Sequence, residues 1–144
     1  MKRCAALLCI LVCVLLAACA DKSEPEFALS NLVIREMPPG RDVAVAYLTI
    51  ENFSKQALTF NYVHSPRTQS IEVHQHVHED GKMLMREVKH YSVAPMARVD
   101  FVPRGYHLML FGVSERFKAG EQVEITFEFE NQAPLTLMAE VKKL

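Results

Sequence analysis

The sequence predicts an all-β protein folded as a two-sheet Greek-key sandwich. Three observations predict it. Apolar and polar residues alternate in short runs, which is the period of a half-buried strand. Turn residues separate the runs at close intervals. No stretch keeps a helical period for more than a turn or two, and about nine short strands joined by tight turns pack best as two facing sheets.

The elements follow in order. The predicted strands are Phe27–Arg35, Val43–Glu51, Ala57–His64, Ser70–His78, Lys82–Val88, Arg98–Val102, Tyr106–Val113, Gln122–Phe129 and Leu135–Lys142. Pro38-Pro39-Gly40, Glu79-Asp80-Gly81, Pro103-Arg104-Gly105 and Lys118-Ala119-Gly120 break the pattern, because Pro restricts φ and Gly tolerates positive φ. Gln122–Phe129 shows the logic: Val123, Ile125, Phe127 and Phe129 face the core, while Gln122, Glu124, Thr126 and Glu128 face water.

The N-terminus reads as a targeting segment. Lys2 and Arg3 precede Ala5–Ala18, an apolar or small-residue run of 14 residues. That suits a signal-peptide core and falls short of the roughly 20 residues a membrane-spanning helix needs. Leu16-Ala17-Ala18-Cys19 resembles a bacterial lipobox, which implies cleavage before Cys19 and lipidation of its thiol. The expected organisation is a lipoprotein-type signal peptide over 1–18, a polar lipid-anchored tether over 19–26, and one binding domain over 27–144. The localisation expected is periplasmic, held on a membrane by lipid. Ala20 after Cys19 favours the outer membrane where a cell has two.

Cys4, Cys9 and Cys13 leave with the signal peptide, and Cys19 takes lipid. The domain therefore has no thiol and no disulfide, so a hydrophobic core must stabilise it and any soft-metal site must use other donors. Without Lys2 and Arg3 the chain carries 14 basic against 17 acidic residues. No basic patch points to nucleic acid. No Ser-His-Asp or Cys-His arrangement has supporting context, so an enzyme is not expected.

All six histidines lie between residues 64 and 107: His64, His74, His76, His78, His90 and His107. Met83, Met85, Met96 and Met109 lie in or just past that span. In a strand, His107 and Met109 share a face, roughly 7 Å apart. The Glu79-Asp80-Gly81 turn predicts a hairpin that brings a row of His74, His76 and His78 beside a row of Met83 and Met85. Plainer readings remain for each piece: Met109 as packing, the histidines as a solvated face. Exposed methionine on the same face needs a further reason. Thioether is soft and prefers copper(I), zinc rarely accepts it, and a blue-copper site would need a cysteine ligand that this domain lacks.

The spacing carries a resemblance. His74 and Met85 have ten residues between them, Met85 and His107 have twenty-one, and His107-Leu108-Met109 follows. This is similar to the motif of the periplasmic copper chaperones called PCuAC: His or Met, ten residues, Met, twenty-one residues, His-x-Met. Ala46–Asn52, Ser65-Pro66, Ile71–His74, Glu79-Asp80-Gly81, Met85-Arg86 and Gly105–Leu110 also resemble that family, in its order, and the likeness runs from about Phe27 to Lys142. Many relatives carry Gly-Gly where this chain has Arg104-Gly105.

The resemblance implies a cupredoxin-like, immunoglobulin-like sandwich holding one copper(I) per chain on His74, Met85, His107 and Met109. It implies a copper chaperone of the cell envelope rather than an enzyme, acting as a monomer and delivering its ion to the copper subunit of cytochrome c oxidase or to another copper-delivery protein. Two other readings stand beside it: copper sequestration for tolerance, and a metal-free sandwich lipoprotein that serves interaction. His76 and His78 are read either as a secondary metal site or, more plainly, as exposed histidines.

Overall fold

The computed structural model describes residues 25–143 of the 144-residue chain. It contains ten strands: β1 (Phe27–Arg35), β2 (Ala44–Asn52), β3 (Leu58–His64), β4 (Ser70–Glu79), β5 (Lys82–Glu87), β6 (Ser92–Val93), β7 (Arg98–Asp100), β8 (Tyr106–Phe111), β9 (Gln122–Phe129) and β10 (Leu135–Lys142). Nine match predicted strands, and β1, β9 and β10 match to the residue. The tenth, β6, has two residues, too few to show an alternation. It is defined only by its partner, through Leu58↔Val93 and Thr59↔Ser92.

The strands run β5-β4-β8-β2-β1-β10-β9-β3-β6, with β7 paired to β2. One bridge between Val63 and Ile71 joins β3 back to β4 and closes the circuit into a flattened, barrel-like sandwich. Most pairs are antiparallel. β1 meets β10 in parallel, through Val33↔Glu140, Ile34↔Val141 and Arg35↔Lys142.

Alternation places the core. Ile34, Ala46, Leu48, Ile50, Leu108, Leu110, Val123, Ile125, Phe127, Ala139 and Val141 are buried between the layers. Each large apolar side chain buried this way is worth about 1.5–3 kcal/mol, so the stability lies here. Phe60 links the layers' aromatic contacts, packing on Tyr91, Phe127 and Phe129.

Two features position the functional face. The β4–β5 hairpin closes through Asp80 and Gly81, both at positive φ (49° and 75°). That is the type I′ geometry an Asp-Gly pair favours, and it sets the register Glu79↔Lys82, Val77↔Leu84 and His76↔Met85. β5 is the free edge of the sheet, so its outward side chains meet solvent.

The predicted signal peptide and most of the tether, Cys19 included, lie outside the described residues. The tether's last residue is already part of the fold: the Glu26 carbonyl accepts the Phe53 N–H at 2.9 Å, and its carboxylate accepts from the Gln132 amide.

Candidate metal centre

The outward faces of β5, β4 and β8 carry the candidate donors. On β4, Ile71 and Val73 turn into the core, which sends Glu72, His74, His76 and His78 outward. On β8, Leu108 and Leu110 turn inward and send His107 and Met109 outward. The β4–β8 register sets His74 opposite His107 and Glu72 opposite Met109. The β4–β5 register sets His76 opposite Met85, His78 opposite Met83 and His74 opposite Glu87. Met85 therefore lies diagonal to His74, two residue pairs along the ladder and within reach of a flexible side chain.

His107 lies on an outward face yet is only 2 % exposed. Neighbouring rings cover it: His76 at 5.0 Å between centroids and His74 at 6.1 Å. Its Nδ1 lies 3.1 Å from the Gly105 carbonyl oxygen. A carbonyl only accepts, so Nδ1 carries the proton and Nε2 presents a bare lone pair. His74 Nε2 lies 2.9 Å from Glu72 Oε2; a carboxylate accepts, so Nε2 carries a proton, and in the neutral ring Nδ1 is then bare. Hydrogen bonds of this kind orient metal-ligating imidazoles.

Three buried side-chain nitrogens among the described residues have no hydrogen-bond partner: His74 Nδ1, His76 Nδ1 and His107 Nε2. Each is a polar atom taken out of water without compensation, a cost of about 1–3 kcal/mol. They belong to one cluster of touching rings. Burial pushes the His107 imidazole below the ordinary histidine range; the Gly105 carbonyl opposes this, and His76 and His74 add to the downward push. His107 thus keeps its lone pair free at pH values where an exposed histidine begins to protonate.

The donors are graded by exposure. His107 is enclosed and His74 is mostly covered, whereas Met85 is 43 % exposed on the edge strand. Met109 is half-buried between Glu72 on β4 and Val45 on β2. Among the described residues no three His, Cys, Asp or Glu side chains already converge on one metal-sized point. What the register gathers is a mixed set, imidazoles at the floor and thioethers at the rim, suited to a soft ion.

The structure separates His76 from His78. His76 is half-buried against His107, while His78 is exposed at the hairpin end opposite exposed Met83. The register sets His76 beside Met85 and His78 beside Met83, two pairs further toward the turn. His64 pairs with Glu128 on the opposite layer, His90 sits in the turn before β6, and Met96 is exposed in a turn beside Ser54. Sequence reasoning missed Glu72 and Gly105. Glu72 was legible by parity, two residues before His74 on the same face. Gly105 acts through its carbonyl, which leaves no mark in residue type.

The loop before His107 is a tight turn. Gly105 N–H donates to the Val102 carbonyl at 3.0 Å, and Val102 N–H donates to the Tyr106 carbonyl at 2.9 Å. Pro103 takes the second position and Arg104 the third, at φ 65°. That third position favours glycine, so Arg104 holds a strained conformation there.

This fold and its mixed imidazole–thioether face define a PCuAC-type β-sandwich. The copper-bound PCuAC domain of PmoF2 superposes with a TM-score of 0.72 at 20% identity, over 85% of this chain and 97% of that one. The solution structure of CuI-DR1885 from Deinococcus radiodurans superposes with a TM-score of 0.69 at 26% identity, over 88% and 86%. The model of the LpqE-like family matches residues 27–141, and the chain belongs to that family. Uncharacterized protein RP573 of Rickettsia prowazekii (strain Madrid E) is 28% identical over 86 residues, 59% of this chain. The match spans about half of that relative, 48% of its length.

Proposed function

We propose that this chain is a copper(I) carrier of the cell envelope, holding one ion on His74, Met85, His107 and Met109 and passing it to a recipient protein. The observation that carries the reading is the buried, unpartnered Nε2 of His107, held by Gly105 and flanked by the bare Nδ1 of His74. Thioethers at Met85 and Met109 flank this pair, and imidazole with thioether is a donor set for copper(I). The copper-bound solved relatives support the same reading.

The gradation of exposure suits release. A partner's donor meets Met85 first, because Met85 stands on the free edge strand while the imidazoles lie below it. Replacing the rim ligand first lets the ion cross through a shared intermediate without entering water as a free ion. The chain acts as a monomeric carrier, not as an enzyme, and Cys19 lipid holds it at the membrane, in the outer membrane of a two-membrane cell. The dinuclear copper centre of cytochrome c oxidase is the recipient we infer.

A copper(I) titration against a chromophoric chelator tests the site, with wild type beside Met85→Leu/Met109→Leu. Tight one-to-one binding that the double variant loses is expected. Binding indifferent to both methionines overturns the donor set. Deletion then tests the recipient: loss of oxidase copper is expected, and copper sensitivity with normal oxidase would assign sequestration instead.

A further inference from the structure

Two exposed apolar side chains stand at the end of the sandwich where the tether enters, and the metal face uses neither. We propose that Phe53 and Met96 form a lipid-contacting tip that enters the headgroup region of the membrane and fixes how the anchored domain stands on it. The inference rests on the reading of Cys19 as lipidated.

The two loops are built as one unit. Phe53 is 46 % exposed and Met96 is 71 % exposed. Buried Asn52 lies behind both. Its side-chain amide donates to the Gln56 carbonyl at 2.7 Å and to the Val93 and Ala94 carbonyls at 3.1 Å each. Its Oδ1 accepts the Ser54 N–H at 3.0 Å. The Met96 N–H donates to the Ser54 carbonyl at 3.2 Å. One buried amide thus pins both loops and presents Phe53 and Met96 together.

Met96 is not what folding alone would select. It takes the third position of the turn Ala94-Pro95-Met96-Ala97, which the Ala97 N–H closes onto the Ala94 carbonyl at 3.3 Å. Its φ is 55°. That position favours glycine or asparagine. A turn that needs only to close would hold one of those, rather than a long apolar side chain set in water on a strained backbone.

Chain connectivity names the surface they meet. The Phe53 N–H donates to the Glu26 carbonyl at 2.9 Å, so the tether joins the fold beside Phe53. Residues 20–24 separate Cys19 from Pro25, and even fully extended that stretch spans at most about 22 Å. β2 alone, nine residues long, runs about 30 Å. The lipid therefore holds the Phe53 end nearest the bilayer, where an aromatic ring and a thioether gain by leaving water at the headgroup–acyl boundary. Exposed Lys55 stands beside them for lipid phosphates, and the Glu26 carboxylate is engaged by the Gln132 amide.

Orientation follows. β2 and β4 both run antiparallel to β8, so the Asp80-Gly81 turn that follows β4 lies at the same end of the layer as Phe53, which follows β2. A tip in the headgroups keeps the donor-bearing hairpin on the membrane side, within reach of membrane-bound recipients.

The sequence contains no Trp, so a single introduced indole reports alone. The lipidated chain, purified from membranes and reconstituted in vesicles of phosphatidylcholine and phosphatidylglycerol, carries Phe53→Trp or, at an exposed position of β10, Met138→Trp. Acyl chains brominated near the headgroup should quench Phe53→Trp and shift its emission to the blue, and should leave Met138→Trp bright. The wild-type chain gives a second readout: spin-labelled lipid should broaden away the Met96 methyl signal and spare that of Met138. Mass spectrometry of Cys19 establishes the anchor first. An anchored chain in which Phe53→Trp stays bright, or in which the wild-type Met96 methyl stays sharp, overturns this inference and leaves the anchor standing. Equal quenching of both indoles overturns it too, since the domain then has no fixed stance. Unmodified Cys19 sinks the anchored reading and this inference with it. None of these readouts uses copper, so the carrier reading is judged separately.

Discussion

Replacing His107 by leucine should stabilise the metal-free protein and abolish its response to copper. His107 is 2 % exposed, and its Nε2 is buried without a partner. An unsatisfied buried acceptor costs about 1–3 kcal/mol. Leucine has a similar volume and no polar atom, so His107→Leu removes that penalty. It also removes the hydrogen bond from Nδ1 to the Gly105 carbonyl, worth about 1 kcal/mol net. That carbonyl keeps a weaker contact with the His76 N–H at 3.4 Å, which limits the loss. The balance favours the variant by about 1 kcal/mol, or roughly 4 °C in melting temperature for a domain of this size. Copper should reverse the order. An ion at a hundredfold excess over its dissociation constant stabilises the native state by about 2.7 kcal/mol, near 10 °C here. Thermal unfolding followed by circular dichroism, with and without copper(I) under reductant, reads both effects. A metal-free His107→Leu that melts several degrees below wild type would refute the reasoning, since His107 would then be a packing residue with its hydrogen bonds satisfied. Equal stabilisation of both proteins by copper would remove His107 from the donor set.

Three further outcomes are expected. Glu72→Gln, which takes the charge from the carboxylate 2.9 Å from His74 Nε2, should weaken copper(I) binding by about tenfold; an unchanged competition titration would show that Glu72 does not orient the ring. Arg104→Gly should stabilise the protein by about 1 kcal/mol, because Arg104 sits at φ 65° and left-handed strain in a non-glycine residue outweighs glycine's extra freedom in the unfolded chain; a lower urea midpoint would contradict that conformation. The third concerns acid. Burial lowers the native pKa of His107, whereas an unfolded imidazole titrates near ~6.5. Between those two values the unfolded chain binds more protons, so this contribution to stability is complete above about pH 6.5 and is lost as pH falls through the native value. The urea midpoint of wild type should therefore drop more between pH 7 and 5 than that of His107→Leu, and equal drops would argue against the shift.

Much of this protein was legible in its sequence, for a local reason. A strand has a period of two, so residue type alternates with face: Ile71, Val73, Leu108 and Leu110 turn to the core and His74, His76, His107 and Met109 turn outward. Turn chemistry is equally local: Asp80-Gly81 adopts positive φ at both positions, as an Asp-Gly pair should. The identity and spacing of the donors were likewise written in the chain. The two-residue β6 was not legible, because pairing to β3 alone makes it a strand.

Tertiary structure decided which outward residues meet. Parity names a face and says nothing of a partner, and the register between β4 and β8 joins segments some thirty residues apart in the chain. That register put His74 against His107, Glu72 beside Met109, and Gly105 next to His76. It also divided His76 from His78, two histidines the same in type and parity, by burying one ring against His107 and leaving the other in water. Burial at a site is a property of neighbours supplied by distant strands, and so the three unpartnered imidazole nitrogens emerge only when the sheet is assembled.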